Sequence, residues 1–205
     1  MSEHVAVVLA AGGSRRLGGR PKQLIQRNGE TLVQRALRLA RATAPRRLLL
    51  VVGARATQIA ALSRAPDVQV VLNRDWREGL ASSVRAARDA LAYDDAGATH
   101  CLLLACDQPA LELPHLQALL QAADDAASGC AGTVHGARIG IPAVVTMSRL
   151  LQARPQGDAG LREVLNALSP GEVGQLRAPE LALDLDTPMD LAEAARRGWI
   201  DSPQG

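Results

Sequence analysis

Short apolar runs rich in β-favouring residues alternate with longer segments of helical spacing along most of the chain. Val5 to Leu9, Leu48 to Val52, Val68 to Leu72 and Cys101 to Ala105 read as strands. Between them Leu32, Val33, Ala36, Leu37 and Ala40 keep helical spacing, as do Leu80, Val84, Ala87 and Leu91, and then Leu116, Leu119, Leu120 and Ala123. Strand and helix in alternation predict an α/β fold with a mostly parallel sheet, whose ligands lie at the carboxyl ends of the strands. The loops after Leu9, Val52, Leu72 and Ala105 should therefore gather at one rim. Beyond about residue 130 the pattern weakens to apolar pieces at Ile139 to Val145 and Leu181 to Leu185. A last helix is marked by Thr187 as its cap, Pro188 as its first residue and Asp190 placed to reach back.

Composition narrows this picture. A chain of 205 residues suits one domain, and with 47% hydrophobic residues but no Phe, one Tyr and two Trp its core must be aliphatic. So few aromatics cannot build a stacking platform for single-stranded nucleic acid. Up to residue 60 there are 11 Lys and Arg against two Asp and Glu, and thereafter 12 against 19, which suits a metal complex of an anionic ligand better than nucleic acid. Arg35, Arg38 and Arg41 are expected to face water from a helix. The three cysteines, Cys101, Cys106 and Cys130, lack both CxxC spacing and a secretory context, so neither a disulfide framework nor a zinc knuckle is expected. His4, His100, His115 and His135 have no ligand spacing. Val5 to Ala11 is too short an apolar stretch for a membrane or signal segment, and a reducing cytoplasm is the expected setting.

The first strand runs into Ala10-Ala11-Gly12-Gly13-Ser14-Arg15-Arg16-Leu17-Gly18-Gly19-Arg20-Pro21-Lys22. Glycines let a backbone approach closely, and Arg15, Arg16, Arg20 and Lys22 offset the charge of a polyphosphate. The loop is neither a P-loop, since no Lys-Ser/Thr pair follows its glycines, nor a dinucleotide fingerprint, since GxGxxG spacing is absent. Two carboxylate features stand far off: Asp107 closes the buried run Leu102 to Cys106, and Asp184-Leu185-Asp186-Thr187-Pro188-Met189-Asp190 precedes the last helix. A carboxylate at the end of a buried strand is costly unless paired, and a divalent cation is one such partner. Asp184 and Asp186 share a face if their segment is extended, while Asp190 reads as a helix cap.

The loop pattern from Leu9 to Lys22 resembles the signature of the nucleoside-triphosphate transferase superfamily. Asp107, the Asp186-Thr187-Pro188 end motif and Asn73-x-x-Trp76-x-x-Gly79-x-x-Ser82-Ser83 are similar to its molybdenum cofactor cytidylyltransferase branch, as are Gly140-Ile141-Pro142 and Gly157 to Arg162. The branch commonly has Asn where Ile141 stands. The resemblance covers residues 5 to about 195 and implies a single Rossmann-like three-layer α/β/α domain with a mostly parallel mixed sheet. It makes residues 1–110 mainly nucleotide-binding and residues 111–205 mainly acceptor-binding and metal-completing. It further implies transfer of CMP from CTP to the phosphate of molybdopterin or molybdenum cofactor with release of pyrophosphate.

By the same resemblance Lys22, Arg16 and Asp107 are catalytic, Asp107 and Asp186 hold Mg2+, and Asp184 is a lesser candidate. The nucleotide lies against Leu9, Ala10, Ala11, Gly12, Gly13, Ser14, Arg15, Arg16, Gly18, Lys22, Asn73, Gly79, Ser82 and Ser83. Arg15 and Arg20 are candidate assistants, Ala11 marks CTP over GTP, and Asp158 is either the cap of a helix from Ala159 to Ala167 or a substrate contact. A molybdoenzyme is the implied recipient of product; no nucleic-acid or membrane partner is. Two alternatives stay open: a sugar phosphate or other small phosphate as acceptor, or GTP as donor, and a non-catalytic carrier of the cofactor.

Overall fold

The computed structural model describes residues 2–92, 97–157, 160–169 and 171–202. A seven-stranded mixed sheet forms its middle layer. In chain order the elements are β1 His4–Ala10, β2 Gln26–Arg27, β3 Glu30–Thr31, α1 Leu32–Arg41, β4 Arg47–Val52, α2 Ala56–Leu62, β5 Val68–Leu72, α3 Leu80–Leu91 and β6 His100–Ala105. There follow α4 Leu113–Asp125, β7 Ala131–His135, β8 Arg138–Thr146, α5 Met147–Gln152, α6 Arg162–Asn166, β9 Gly174–Leu176 and α7 Pro188–Arg196. The sheet order is β5-β4-β1-β6-β8-β7-β9, and β2 and β3 pair as a separate two-stranded ribbon. Strands β5, β4, β1 and β6 run parallel, β8 is antiparallel to both β6 and β7, and β9 is parallel to β7. The expected α/β class and mostly parallel mixed sheet are what the chain forms.

Alternation along the central strands creates the other two layers. Ala6, Val8 and Ala10 of β1, with Leu48 and Leu50 of β4 and Leu102 and Leu104 of β6, pack against α1, α2 and α4. Val5, Val7 and Leu9, with Leu49, Val51 and Leu103, turn the opposite way onto α3, α5 and α6. Burying a leucine of this kind stabilises by about 1.5–3 kcal/mol, so the sheet's aliphatic runs suffice without phenylalanine. Val70 and Leu72 are exposed because β5 is an edge strand. A third cluster, Ile25, Leu32, Leu185, Ala194 and Ile200, clamps α7 against the segment that follows the glycine loop.

Two features, a later helix and the setting of Arg35, differ from the sequence reading. The apolar piece Leu181 to Leu185 forms no strand: Pro179–Ala182 makes a 3-10 turn, and the residues after it dock on the Asp107 loop through Leu185 N–H to Asp107 O at 3.0 Å. Leu181 and Leu185 enter different clusters, which no single strand face permits. The helix expected from Ala159 to Ala167 spans Arg162–Asn166, while Asp158 and Ala159 lie outside the described residues. Arg35 does not face water. It is only 8% exposed, because α1 turns it toward the loop between β6 and α4; Arg38 and Arg41 do lie on the outside, paired with Glu30 and Asp67.

Candidate active site

The loop after β1 reaches the rim where the parallel strands end. Leu9, Ala10 and Ala11 are buried and finish β1, and the chain then passes through Gly12 to Ser14, which has a left-handed φ of 50°. Ser14 holds the turn at both ends: its carbonyl accepts from Leu17 and Gly19, and its hydroxyl accepts from the Lys22 N–H at 3.0 Å. Gln23, almost wholly buried, donates its amide to Ala10 O at 3.0 Å and Gly12 O at 2.7 Å. The glycine segment is thus strapped from beneath while Gly12 and Gly18 stay exposed above.

Trp76 fixes the other wall. A Cβ on Gly13 would lie 2.6 Å from its ring, and one on Gly53 would lie 2.6 Å from the Trp76 Cβ and 2.9 Å from the Ala11 Cβ. Only glycine at these two positions lets loop, β4 end and indole meet. The Arg77 guanidinium lies 4.4 Å from the Trp76 ring centroid and that of Arg15 5.9 Å, so Arg15 rests beside the loop rather than among the carboxylates. Ala11 points into the core against Gly53, and any effect on base choice must act through the path of the loop.

Lys22 brings the distant acids together. Its ammonium pairs with Asp107 Oδ2 and, at 2.9 Å, with Asp186 Oδ1, and Arg16 pairs with Asp186 Oδ2 at 2.6 Å. Burial works against the Lys22 charge, but Asp107 and Asp186 outweigh it and hold the ammonium above its ordinary pKa. Desolvation likewise raises Asp186, yet Lys22 and Arg16 together keep it below the usual carboxylate range. Asp184 shows the cost of crowding three acids: enclosure of its carboxyl group, then the charges of Asp107 and Asp186, push it up to about 7 against the pull of Lys22. Arg20 stands outside this group, on the wall of a separate cleft of about 330 Å³ beside Leu191 and Ile200.

The second half of the site is set by caps and braces. Thr187 and Asp190 form a reciprocal capping box, with Pro188 as the first helical residue, and the Asp190 carboxylate also accepts from Asp186 N–H at 3.1 Å. Asp186 is therefore fixed through its own backbone. Asn73, Ser82 and Ser83 are buried and bond one another: the Asn73 amide donates to Ser82 Oγ at 2.8 Å and to Ser83 Oγ at 3.1 Å. These three brace the start of α3, where Gly79 turns the chain with a φ of 95°, beside the loop wall made by Trp76. Ile141, in Gly140-Ile141-Pro142, accepts at its carbonyl from Gln108 at 3.4 Å and from His135 at 3.0 Å.

Residues 6–173 match the MobA-like NTP transferase domain. The chain belongs to that family. It is 27% identical to the molybdenum cofactor cytidylyltransferase of Escherichia coli K12, across 96% of this chain and 98% of that protein. It is 31% identical to nicotine blue oxidoreductase of Paenarthrobacter nicotinovorans, across 82% of this chain and 77% of that protein. Rv0371c of Mycobacterium tuberculosis, solved in complex with manganese, superposes with a TM-score of 0.68 at 26% identity, covering 94% of this chain and 97% of that one. As a MobA-like protein the chain is a nucleotidyltransferase, and its fold is that of its structural relatives.

The residues suit a divalent cation. Asp107 Oδ1 is buried and has no protein partner, while Oδ2 faces Lys22. Among the described residues no group of three His, Cys, Asp or Glu side chains is arranged as a closed metal cage, which matches a cation held by one or two carboxylates plus substrate phosphates. Among the described residues, no helix is long and apolar enough to cross a membrane.

Several residues around the site carry no distinguishing local pattern: Gln23 follows the signature lysine directly, Gly53 follows β4, and Gln108 and Glu112 lie in the loop after β6. Arg35 does have one: three residues after Leu32 and four before Leu39, it lies at the margin of the apolar face.

Proposed function

We propose that this chain transfers CMP from CTP to the phosphate of a molybdopterin-type acceptor, releasing pyrophosphate, with Mg2+ as its cation. The observation that carries the reading is the contact of Lys22 with both Asp107 and Asp186, at the foot of a glycine loop whose upper face is open. Attack of one phosphate on another joins two anions, so the protein's task is neutralisation and alignment rather than covalent catalysis. Lys22 moves its charge from the carboxylates to the α-phosphate as negative charge develops there. Arg16, 68% exposed and paired with Asp186, takes the β- and γ-phosphates with N–H groups of the glycine loop. Mg2+ held by Asp107 and Asp186 would neutralise phosphate oxygens.

Asn73, Ser82 and Ser83 serve by holding Gly79 and the start of α3 against the nucleotide. In this reading residues 1–110 carry the nucleotide and residues 111–205 complete the cation site and receive the acceptor, whose product passes to a molybdoenzyme. The identity to E. coli molybdenum cofactor cytidylyltransferase over nearly the full length of both chains supports the acceptor class, and the manganese in Rv0371c supports a divalent cation. Ala10-Ala11-Gly12 supports CTP as donor.

The test is pyrophosphate release by the purified chain with molybdopterin and each of CTP, GTP and ATP, in Mg2+. CTP should be preferred at least tenfold, on the scale by which hydrogen-bonded base recognition discriminates. Preference for GTP would overturn the role of Ala11, and release with a sugar phosphate alone would overturn the acceptor. A second reading, oxidation or reduction of an organic substrate, has one observation in its favour, the 31% identity to nicotine blue oxidoreductase. Turnover of that kind without pyrophosphate release would replace the first reading.

A further inference from the structure

Between α1 and the loop that carries Asp107 lies a small cavity of about 10 Å³. Leu32, Ala36, Leu39 and Leu111 line it with carbon, and Arg35 and Gln108 are its charged and amide residues. Both are more than nine-tenths buried, and each has one buried polar atom with no protein partner: Arg35 Nε and Gln108 Oε1. One is a donor and the other an acceptor. Other atoms of both side chains bond their surroundings. The Arg35 guanidinium donates to Leu111 O at 2.9 Å and pairs with Glu112 Oε1 at 2.6 Å, while the Gln108 amide donates to Leu181 O at 3.0 Å.

We propose that Arg35 is a positioning residue for Asp107, acting through one buried water that accepts from Arg35 Nε–H and donates to Gln108 Oε1. The size fits, since about 10–15 Å³ of this kind of space holds one water, and a donor and an acceptor on the same small cavity supply its polar partners. Leaving both atoms buried without a bond is costly, and a single water removes that cost for both. The consequence is mechanical. Residues 107 to 112 are then gripped from α1 at three points: Gln108 through the water, Leu111 through its carbonyl and Glu112 through its carboxylate. Arg27 adds a fourth at Pro109 O, 2.7 Å away. Asp107, one residue before Gln108, takes its direction from this grip and from Leu185 N–H on its carbonyl.

This inference rests on the proposed cation site, and its test separates the two. A high-resolution crystal structure of the protein should show a water within hydrogen-bond reach of both Arg35 Nε and Gln108 Oε1, and Arg35→Lys, which keeps the charge but lacks Nε–H, should lose it. In Arg35→Met the Asp107 carboxylate should turn away from Lys22. In solution Arg35→Met should weaken Mn2+ binding in the presence of CTP about tenfold, the usual scale for supporting residues, while CTP binding without metal changes less than about twofold. Arg35→Lys should recover part of the Mn2+ affinity through Leu111 and Glu112, and it serves in place of Arg35→Met should that variant not fold. A dry cavity, or a water touching only one of the two atoms, overturns the bridge. Equal losses of CTP and Mn2+, or none, overturn the positioning role. A wild-type protein that takes up no Mn2+ with any nucleoside triphosphate refutes the cation site instead, and the crystal structures still decide the bridge and the direction of Asp107.

Discussion

Two clusters of paired charges flank the loop from Asp107 to Glu112, and they are built for opposite ends. In front, Lys22 and Arg16 share Asp107 and Asp186, and the Arg16 side chain is 68% exposed. Behind, Arg27 and Arg35 share Glu112, with guanidinium-bearing side chains only 18% and 10% exposed. Each rear arginine also bonds a backbone carbonyl, Pro109 O or Leu111 O, whereas among the described residues the Lys22 ammonium and the Arg16 guanidinium hydrogen-bond carboxylates only. A side chain committed to the main chain cannot leave without moving the main chain. One committed only to another mobile charge can exchange it for a phosphate. Under the proposed function, what separates reacting charges from supporting ones is where the remaining hydrogen bonds go.

The sharpest way to break this comparison is to remove one cation from each cluster. Lys22→Met should lower turnover on the order of 100-fold or more, as loss of a preorganised donor does. Steady-state pyrophosphate release at saturating CTP and Mg2+ measures it. Near-normal turnover would mean that the front cluster is a brace like the rear one. Arg35→Ala should behave the other way: unfolding free energy falls by about 2 kcal/mol, because a buried hydrogen-bonded charge is lost while Arg27 still accompanies Glu112. Denaturant titration with an unchanged slope would record it, and turnover at saturating metal should fall far less than for Lys22→Met.

The front cluster was legible in the sequence and the rear one was not, for a physical reason. Lys22, Arg16, Asp107 and Asp186 stand in local patterns that chemistry constrains: a glycine turn after a strand, an acid at the end of a buried run, a capped helix start. Thr187, Pro188 and Asp190 could be assigned exactly because a cap is a contact within four residues. The rear cluster joins α1 to a loop more than 70 residues later, and the one local sign that sets Arg35 apart from the exposed Arg38 and Arg41, its place at the margin of the apolar face, does not tell what it meets. The same limit explains the sheet. Its parallel half was readable from continuous apolar runs, but β7 and β9 are short and half-polar, and their pairing is fixed only by β8 returning between β6 and β7. Asn73, Ser82 and Ser83 were found as a set, while their burial and mutual bonding came only with the fold.

A smaller effect sharpens the account of the front cluster. With no cation present Asp184 carries a raised pKa, near 7 against an ordinary 3.8, so the folded protein holds a proton that the unfolded chain releases. Its contribution to stability is present below the unfolded value and is lost as pH rises through the folded one. Asp184→Asn removes the like charge, so the variant should gain on wild type between pH 4 and 7 in metal-free buffer and show no gain below that window. Thermal melting across the range reads the difference, and a gap independent of pH would mean that Asp184 does not feel Asp107 and Asp186.

The smallest expected effect comes from Arg38, one turn along α1 from Arg35. It meets Glu30 in a well-formed pair, with bonds of 3.0, 3.2 and 2.7 Å, yet its side chain is 52% exposed and bonds no backbone carbonyl. Geometry alone would rank it beside Arg35. Exposed pairs repay little, because water screens the attraction and ordering two long side chains costs entropy, so Arg38→Ala should change stability by less than about 1 kcal/mol. Its Mn2+ and CTP affinities should match wild type. A loss at Arg38 comparable to that at Arg35 would show that α1 supports the Asp107 loop through its charge as a whole; a negligible one would leave the support with the single arginine whose bonds end on the backbone.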